Sequence, residues 1–138
     1  MSGDRSSALA STQVDLVQGV PVLRVIGEID MTTSEMIRGT LLTCLDTAAS
    51  TLVLDLNEVT FLASSGLALI SEALGYADQR DIAFVVVAGD RSFLRLLQTT
   101  SLDELLTIYS GLDPAIAALH DMVATTSPLA TGVPRTVE

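Results

Sequence analysis

Between Thr12 and Val17 apolar and polar residues alternate (TQVDLV), and the period of two predicts a half-buried strand. Gln18 and Gly19 supply a turn, after which VPVLRVIGEID resumes an apolar strand, so the chain opens with an antiparallel hairpin. The period then changes. Ile37, Leu41, Cys44, Leu45 and Ala48 fall at helical spacing, with Thr32 three residues ahead of Glu35 in the pattern of a capping box. TLVLDL is short and almost wholly apolar, as a strand buried on both faces should be. SSGLALISEALGYA places Leu67, Ile70, Leu74 and Ala77 on one helical stripe. Leu67 and Leu69 lie roughly 200° apart on such a helix, so one of the two is expected to be exposed as part of a docking patch. DIAFVVVAG is another buried strand, Asp90 caps a short helix holding Phe93, Leu96 and Leu97, and ELLTIY gives a further strand. Asp113 followed by Pro114 starts a last helix, expected to run through Met122.

The predicted order, ββαβαβαβα, is that of a single α/β domain: a mixed, mostly parallel sheet with an N-terminal β-hairpin, about four helices and right-handed crossovers. The expected boundaries are a flexible N-terminal tail over 1–12, the domain over 13–123 and a flexible C-terminal tail over 124–138. In such sheets the carboxyl ends of the parallel strands and the amino ends of the following helices share one edge, where ligands and partners act. That edge should hold Asp30, Asp55, the loop NEVTFLASSG, Gly89 and Asp90.

Composition narrows what the edge can do. The chain of 138 residues is 49% hydrophobic, ample for one core. Seventeen acidic residues against seven basic ones give a net charge of −10, which opposes binding to nucleic acid or an anionic membrane. All seven basic residues are arginine, which excludes a P-loop lysine and a Schiff-base lysine. The single cysteine, Cys44, permits no intramolecular disulfide and no site built on several thiolates. No cofactor is expected. MSGDRSSALAS lacks the apolar core of a signal peptide, and no apolar run approaches the roughly 18 residues that cross a bilayer. The expectation is a cytoplasmic protein.

Taken as residue types alone, Ser64 and Ser65 read as a helix cap and its first-turn neighbour, with Gly66 allowing close packing. Asp30 and Asp90 read as a turn residue and a cap, and Asp55 as a carboxylate that bonds loop amides. Cys44 lies on an apolar stripe, as a buried inert thiol does. A Ser-His hydrolase would have to use the sole histidine, His120, but ASSGL lacks the G-x-S-x-G elbow, so covalent catalysis is not expected.

VIGEID, LVLDLNEVTFLASSGL and TTSLDELLTIY, at these intervals, closely resemble the STAS domain, specifically the stand-alone anti-anti-sigma factors of bacterial partner switching. The resemblance covers about Val14 to Met122. It implies a non-enzymatic regulator that binds an anti-sigma factor with an ATPase-like kinase fold and so frees a sigma factor, with a serine phosphatase as a further partner and a monomer or weak homodimer as the free state. The residue aligned with the family's phosphoacceptor is Ser64, and the implied contact surface comprises Asp30, Thr33, Ala63, Ser64, Ser65, Gly66, Leu67, Gly89 and Asp90. The chain departs from the family pattern at Ala63, where an acidic residue is usual, and at Ser101, where glycine is more frequent and which we assign to loop conformation. Ala63 keeps a second reading open: a STAS binding module not controlled by serine phosphorylation, constitutive or redox-regulated through Cys44. A small-ligand carrier or hydrolase using the same edge is the third.

Overall fold

The hairpin forms as its turn residues dictate. Gln18 and Gly19 both take positive φ, 51° and 84°, the geometry of a two-residue hairpin turn, and Val17 pairs with Val20 across it. The computed structural model describes residues 10–129. β1 (Ala10–Val17) pairs antiparallel with β2 (Val20–Ile29), so residues 10–12 belong to the sheet, while the rest of the expected N-terminal tail lies outside the described residues. The chain continues through α1 (Ser34–Thr47), β3 (Thr51–Leu62), α2 (Ser64–Gln79), β4 (Ala83–Val87), α3 (Arg91–Thr99), α4 (Leu102–Leu105), β5 (Thr107–Tyr109) and α5 (Leu112–Leu129).

The five strands lie side by side in chain order, with all pairs after the first parallel. Alternate residues of each strand point to opposite faces. Leu23, Val25, Leu52, Leu54, Phe84 and Val86 meet α1, α2 and α3 on one face. Val22, Val53, Val85 and Val87 meet Ala115, Ile116 and Leu119 of α5 on the other. Each such fully buried Val or Leu side chain contributes roughly 1.5–3 kcal/mol of hydrophobic stabilisation. Beyond the reach of the α5 cluster, Arg24 lies 3.4 Å from Asp55 and 3.7 Å from Asp15, so the buried Asp55 carboxylate has a cationic partner.

Four expectations about elements need correction, the first being the loop NEVTFLASSG, which is strand as far as Leu62. ELLTIY is a strand only in its second half: Ser101 takes the left-handed region at φ 62°, and Leu102–Leu105 then close one helical turn before β5. The left-handed backbone is also the reason glycine suits that position, since a side chain there meets the following carbonyl. The last helix passes Met122 and ends at Leu129, inside the expected C-terminal tail; residues 130–138 lie outside the described residues. Thr32 and Glu35 form no capping box, because the cap position of α1 is Thr33, which makes no side-chain cap bond.

β3 makes the site possible by overshooting its neighbour. Only Thr51–Asp55 pair with β4, whereas the strand runs on to Leu62 along β2, with irregularities at Arg24/Ile26 and Gly27/Glu28. The second half of β3 therefore carries its connection to α2 past the end of β4.

Candidate functional site

α1, α2 and α3 each begin at the carboxyl edge of the parallel strands, as α5 does after β5, and the first three are entered differently. At the α1 entry Asp30 organises the turn. Its Oδ1 accepts the backbone N–H of Thr32 at 2.9 Å and of Thr33 at 3.1 Å, and the Thr32 hydroxyl at 2.8 Å. The Thr32 hydroxyl, helped by these amides, holds the Asp30 carboxyl below the usual carboxylate range. Thr33 is buried, and its hydroxyl donates to the Glu28 carbonyl at 2.7 Å and accepts the Asp30 N–H at 3.0 Å. Thr33 thus sits inside the turn and supports Asp30.

At the α3 entry Asp90 is the cap the sequence predicts. Its Oδ1 accepts the Ser92 N–H at 2.8 Å and also the Ser92 hydroxyl. These bonds, the hydroxyl first, lower the Asp90 pKa. Gly89 just ahead donates its N–H to Asn57 Oδ1 at 2.8 Å, and Asn57 Nδ2 donates to the Ser110 carbonyl at 3.3 Å. A Cβ on Gly89 would stand 3.0 Å from that same carbonyl. Asn57 is in turn fixed by Asp55, whose Oδ1 accepts the Asn57 N–H at 3.0 Å. Asp55 accepts a neighbouring amide as the sequence suggests, but inside β3 and not in a loop, because the strand continues to Leu62. Asn57 is the residue that sequence reasoning missed: it ties the middle of β3 to the ends of β4 and β5. The only signal was an amide two positions after Asp55, where a side chain can fold back on its own loop.

The α2 entry has no such side chain. Its cap is Ala63, with extended backbone and no side-chain cap bond, so the reading of Ser64 as the cap is wrong: Ser64 is the first helical residue. Ala63 is held through its backbone, its N–H donating to the Ile29 carbonyl at 2.9 Å and its carbonyl accepting the N–H groups of Gly66 at 2.9 Å and Leu67 at 3.3 Å. Ser64 is exposed at this start. Ser65 turns inward, and its hydroxyl oxygen is buried without a hydrogen-bond partner. Gly66 is a packing requirement, as the sequence suggests: a Cβ there would come within 2.5 Å of Leu62 Cδ1 and 2.8 Å of Ile29 Cγ2.

Leu67 and Leu69 are both buried, at 8% and 5% exposure, so neither is an exposed docking residue. α2 packs against α1 as well as β3 and β4, and its buried arc is wider than one stripe. Leu67 instead floors a shallow groove of about 280 Å³ lined by Ser64, Leu67, Ala68, Ser71, Thr100 and Leu102. The large apolar residues exposed at this end include Met31 and Phe61, at 80% and 52%, which follow β2 and close β3, and Met36 in the first turn of α1.

The alternative chemistries find little support in the geometry. His120 Nε2 lies 2.8 Å from the Gln18 carbonyl, at the hairpin turn. Its helix covers the face opposite to α2, and that turn lies at the opposite edge from Ser64, so no Ser-His pair forms. Cys44 is half-buried on α1, and burial pushes its thiol pKa up, away from the reactive thiolate. Among the described residues no three His, Cys, Asp or Glu side chains gather as a metal-binding group, and no helix is long and apolar enough to cross a membrane.

Comparison with known proteins now places this geometry. The family model for the STAS domain matches residues 11–115. The crystal structure of an anti-sigma factor antagonist from Mycobacterium paratuberculosis is similar at 32% identity and a TM-score of 0.75, over 80% of this chain and 94% of that one. The phosphorylated form of the Bacillus cell fate determinant SpoIIAA shares the fold at 19% identity and a TM-score of 0.62, over 79% of this chain and 99% of that one. A STAS domain protein from Planctomyces limnophilus does so at 23% identity and a TM-score of 0.67, over 78% of this chain and 95% of that one. No curated protein matches the chain.

Proposed function

Because the chain belongs to the STAS domain family, we propose that it acts as an anti-sigma factor antagonist: it binds an anti-sigma factor with an ATPase-like kinase fold, frees a sigma factor, and is switched off when Ser64 is phosphorylated. It works by complex formation and has no turnover of its own. The observation that carries this reading is the α2 entry, where an exposed serine hydroxyl stands first in a helix whose cap residue contributes no side-chain acceptor. SpoIIAA, which has the same fold, exists in phosphorylated and unphosphorylated forms.

The physics of such a switch follows from position. A phosphoryl group adds about −1.5 to −2 charges and three strong acceptor oxygens. On the first residue of α2 it meets free backbone N–H groups and the positive end of the helix dipole, so its own domain tolerates it. A partner seated on Ser64, Met31 and Phe61, between the carboxylates of Asp30 and Asp90, meets instead an added charge it must desolvate. Each tenfold loss of affinity requires only about 1.4 kcal/mol. Gly66, Leu67 and Thr33 act beneath this surface by fixing its shape, and Gly89 by keeping the β4 end close to β5. A serine phosphatase would reset the switch, and the cytoplasm is the compartment in which the cycle operates.

Tagged chain carrying Ser64→Ala or Ser64→Glu, purified from its native host, tests both halves. Ser64→Ala should retain an ATPase-like protein that Ser64→Glu loses, and the wild-type chain from the same cells should carry one phosphate by intact mass. Equal capture by both variants would reject the switch. Capture by neither would reject the binding reading itself.

A further inference from the structure

The five arginines among the described residues divide into two groups. Arg24, Arg38 and Arg80 are each in an ion pair with a carboxylate: Asp15 and Asp55, Glu72, and Asp46 respectively. Arg91 and Arg95 make no ion pair among the described residues, and both are exposed. They stand four residues apart on α3 and therefore share a face, opposite to the buried Phe93 and Leu97. No acidic residue lies within Arg91–Thr99, so the helix cannot neutralise them itself. In a chain of net charge −10 this leaves a positive stripe beginning next to Asp90, at the same edge as Ser64.

The stripe runs into a groove that is apolar at Leu67, Ala68 and Leu102 and carries hydroxyls at Ser64, Ser71 and Thr100, with the exposed Glu104 of α4 as the one described carboxylate on that short helix. Thr99 bonds back to the Arg95 carbonyl at 2.9 Å, and the next residue, Thr100, lines the groove with Leu102, Leu67 and Ala68. Leu105, one turn beyond Leu102, is 67% exposed. We propose that the α3 face and this groove form a docking surface for an acidic amphipathic helix of the partner, whose leucines enter the groove while its carboxylates pair with Arg91 and Arg95. Charge complementarity selects that occupant: the rest of the edge presents Asp30 and Asp90 and repels an acidic segment, so such a segment is accepted in one place and one orientation. A partner that is basic where it meets Asp30 and acidic where it meets α3 is held in a single register. This deepens the function proposed above and depends on it only for the partner's identity.

The test needs no anti-sigma factor. The probe is a synthetic peptide with leucines along one helical face and glutamates beside them, set against the same peptide with lysines in place of the glutamates, each titrated into isotope-labelled full-length chain by NMR. The glutamate peptide should shift the amides of α3 together with Leu67, Ala68 and Leu102, more weakly as salt rises, and the Arg91→Glu/Arg95→Glu variant should bind it at least about tenfold less with an unchanged circular dichroism spectrum. The lysine peptide should not bind there. Equal binding of both peptides, shifts confined to Asp30 and Asp90, or no shift at millimolar peptide would overturn the proposal. So would capture by phosphatidylglycerol vesicles that depends on the two arginines, which would assign them to a membrane, or α3 shifts that grow with protein concentration alone, which would assign them to a second copy.

Discussion

α2 and α3 follow adjacent parallel strands to the same edge, yet their first turns are built in opposite ways. α3 is closed by a carboxylate, with Asp90 holding the amide and hydroxyl of Ser92, and its third residue is Phe93, a large side chain between helix and sheet. α2 is capped by a methyl group, its second serine has a buried hydroxyl without a partner, and its third residue is Gly66, which lets the helix start against Ile29 and Leu62. The α3 start is satisfied internally. The α2 start is held by packing and leaves its polar groups for something else. Under the proposed function, this difference makes the open α2 start the switch and the closed α3 start its fixed neighbour.

The largest effect should come from filling the α2 contact. Gly66→Ala places a Cβ against Ile29 Cγ2, a stiff β-branched methyl in a side chain 1% exposed, so relief needs the helix to move. The expected cost is about 1–3 kcal/mol in urea unfolding, the range for overpacking a close-packed core. A neutral result would show that α2 is not seated as closely as the contrast with Phe93 requires.

Charge placed on the first turns should separate the two helices next. Ser64→Glu should stabilise the isolated domain by about 0.3–1 kcal/mol through the helix dipole while weakening partner binding at least about tenfold. Ser92→Glu should do neither, because Asp90 already occupies that turn and repels a second carboxylate. Thermal unfolding of both variants beside the pull-down reads the two effects separately. Movement of stability and affinity in the same direction for Ser64→Glu would mean that the variant perturbs the fold and not the interface.

What the sequence revealed divides along the same line. The hairpin turn, the Asp90 cap and the Gly66 contact were legible because each depends on a few adjacent residues with distinctive chemistry. Ser64 as cap, the Thr32/Glu35 box and one exposed leucine of the Leu67/Leu69 pair were misread because each depended on tertiary context. Asp30 already holds the Thr32 N–H that Glu35 would have accepted in the box, and α2 is covered on more than one side. ELLTIY turned on Ser101, where a left-handed backbone starts a helical turn that apolar periodicity does not show. Asn57 was invisible because its partners, Gly89 and Ser110, lie 32 and 53 residues away.

The closest test of the contrast, one confined to stability, is to give α2 the carboxylate that α3 has. Ala63→Asp should stabilise the domain by about 1 kcal/mol, the usual worth of an N-cap. Its pH dependence identifies the cause. A capping carboxylate has its pKa lowered in the folded state, as Asp90 and Asp30 do, so the stability it adds is present above the unfolded value near 4 and is lost as pH falls through the lower folded value. The gain should therefore be full at neutral pH and vanish in acid, whereas Asp90→Asn, which retains an accepting oxygen, should remove one such acid-labile contribution from α3. Urea midpoints of the wild type and both variants across that range suffice. A gain from Ala63→Asp that persists in acid would come from packing or helix propensity, and the α2 start would then not be short of an acceptor at all.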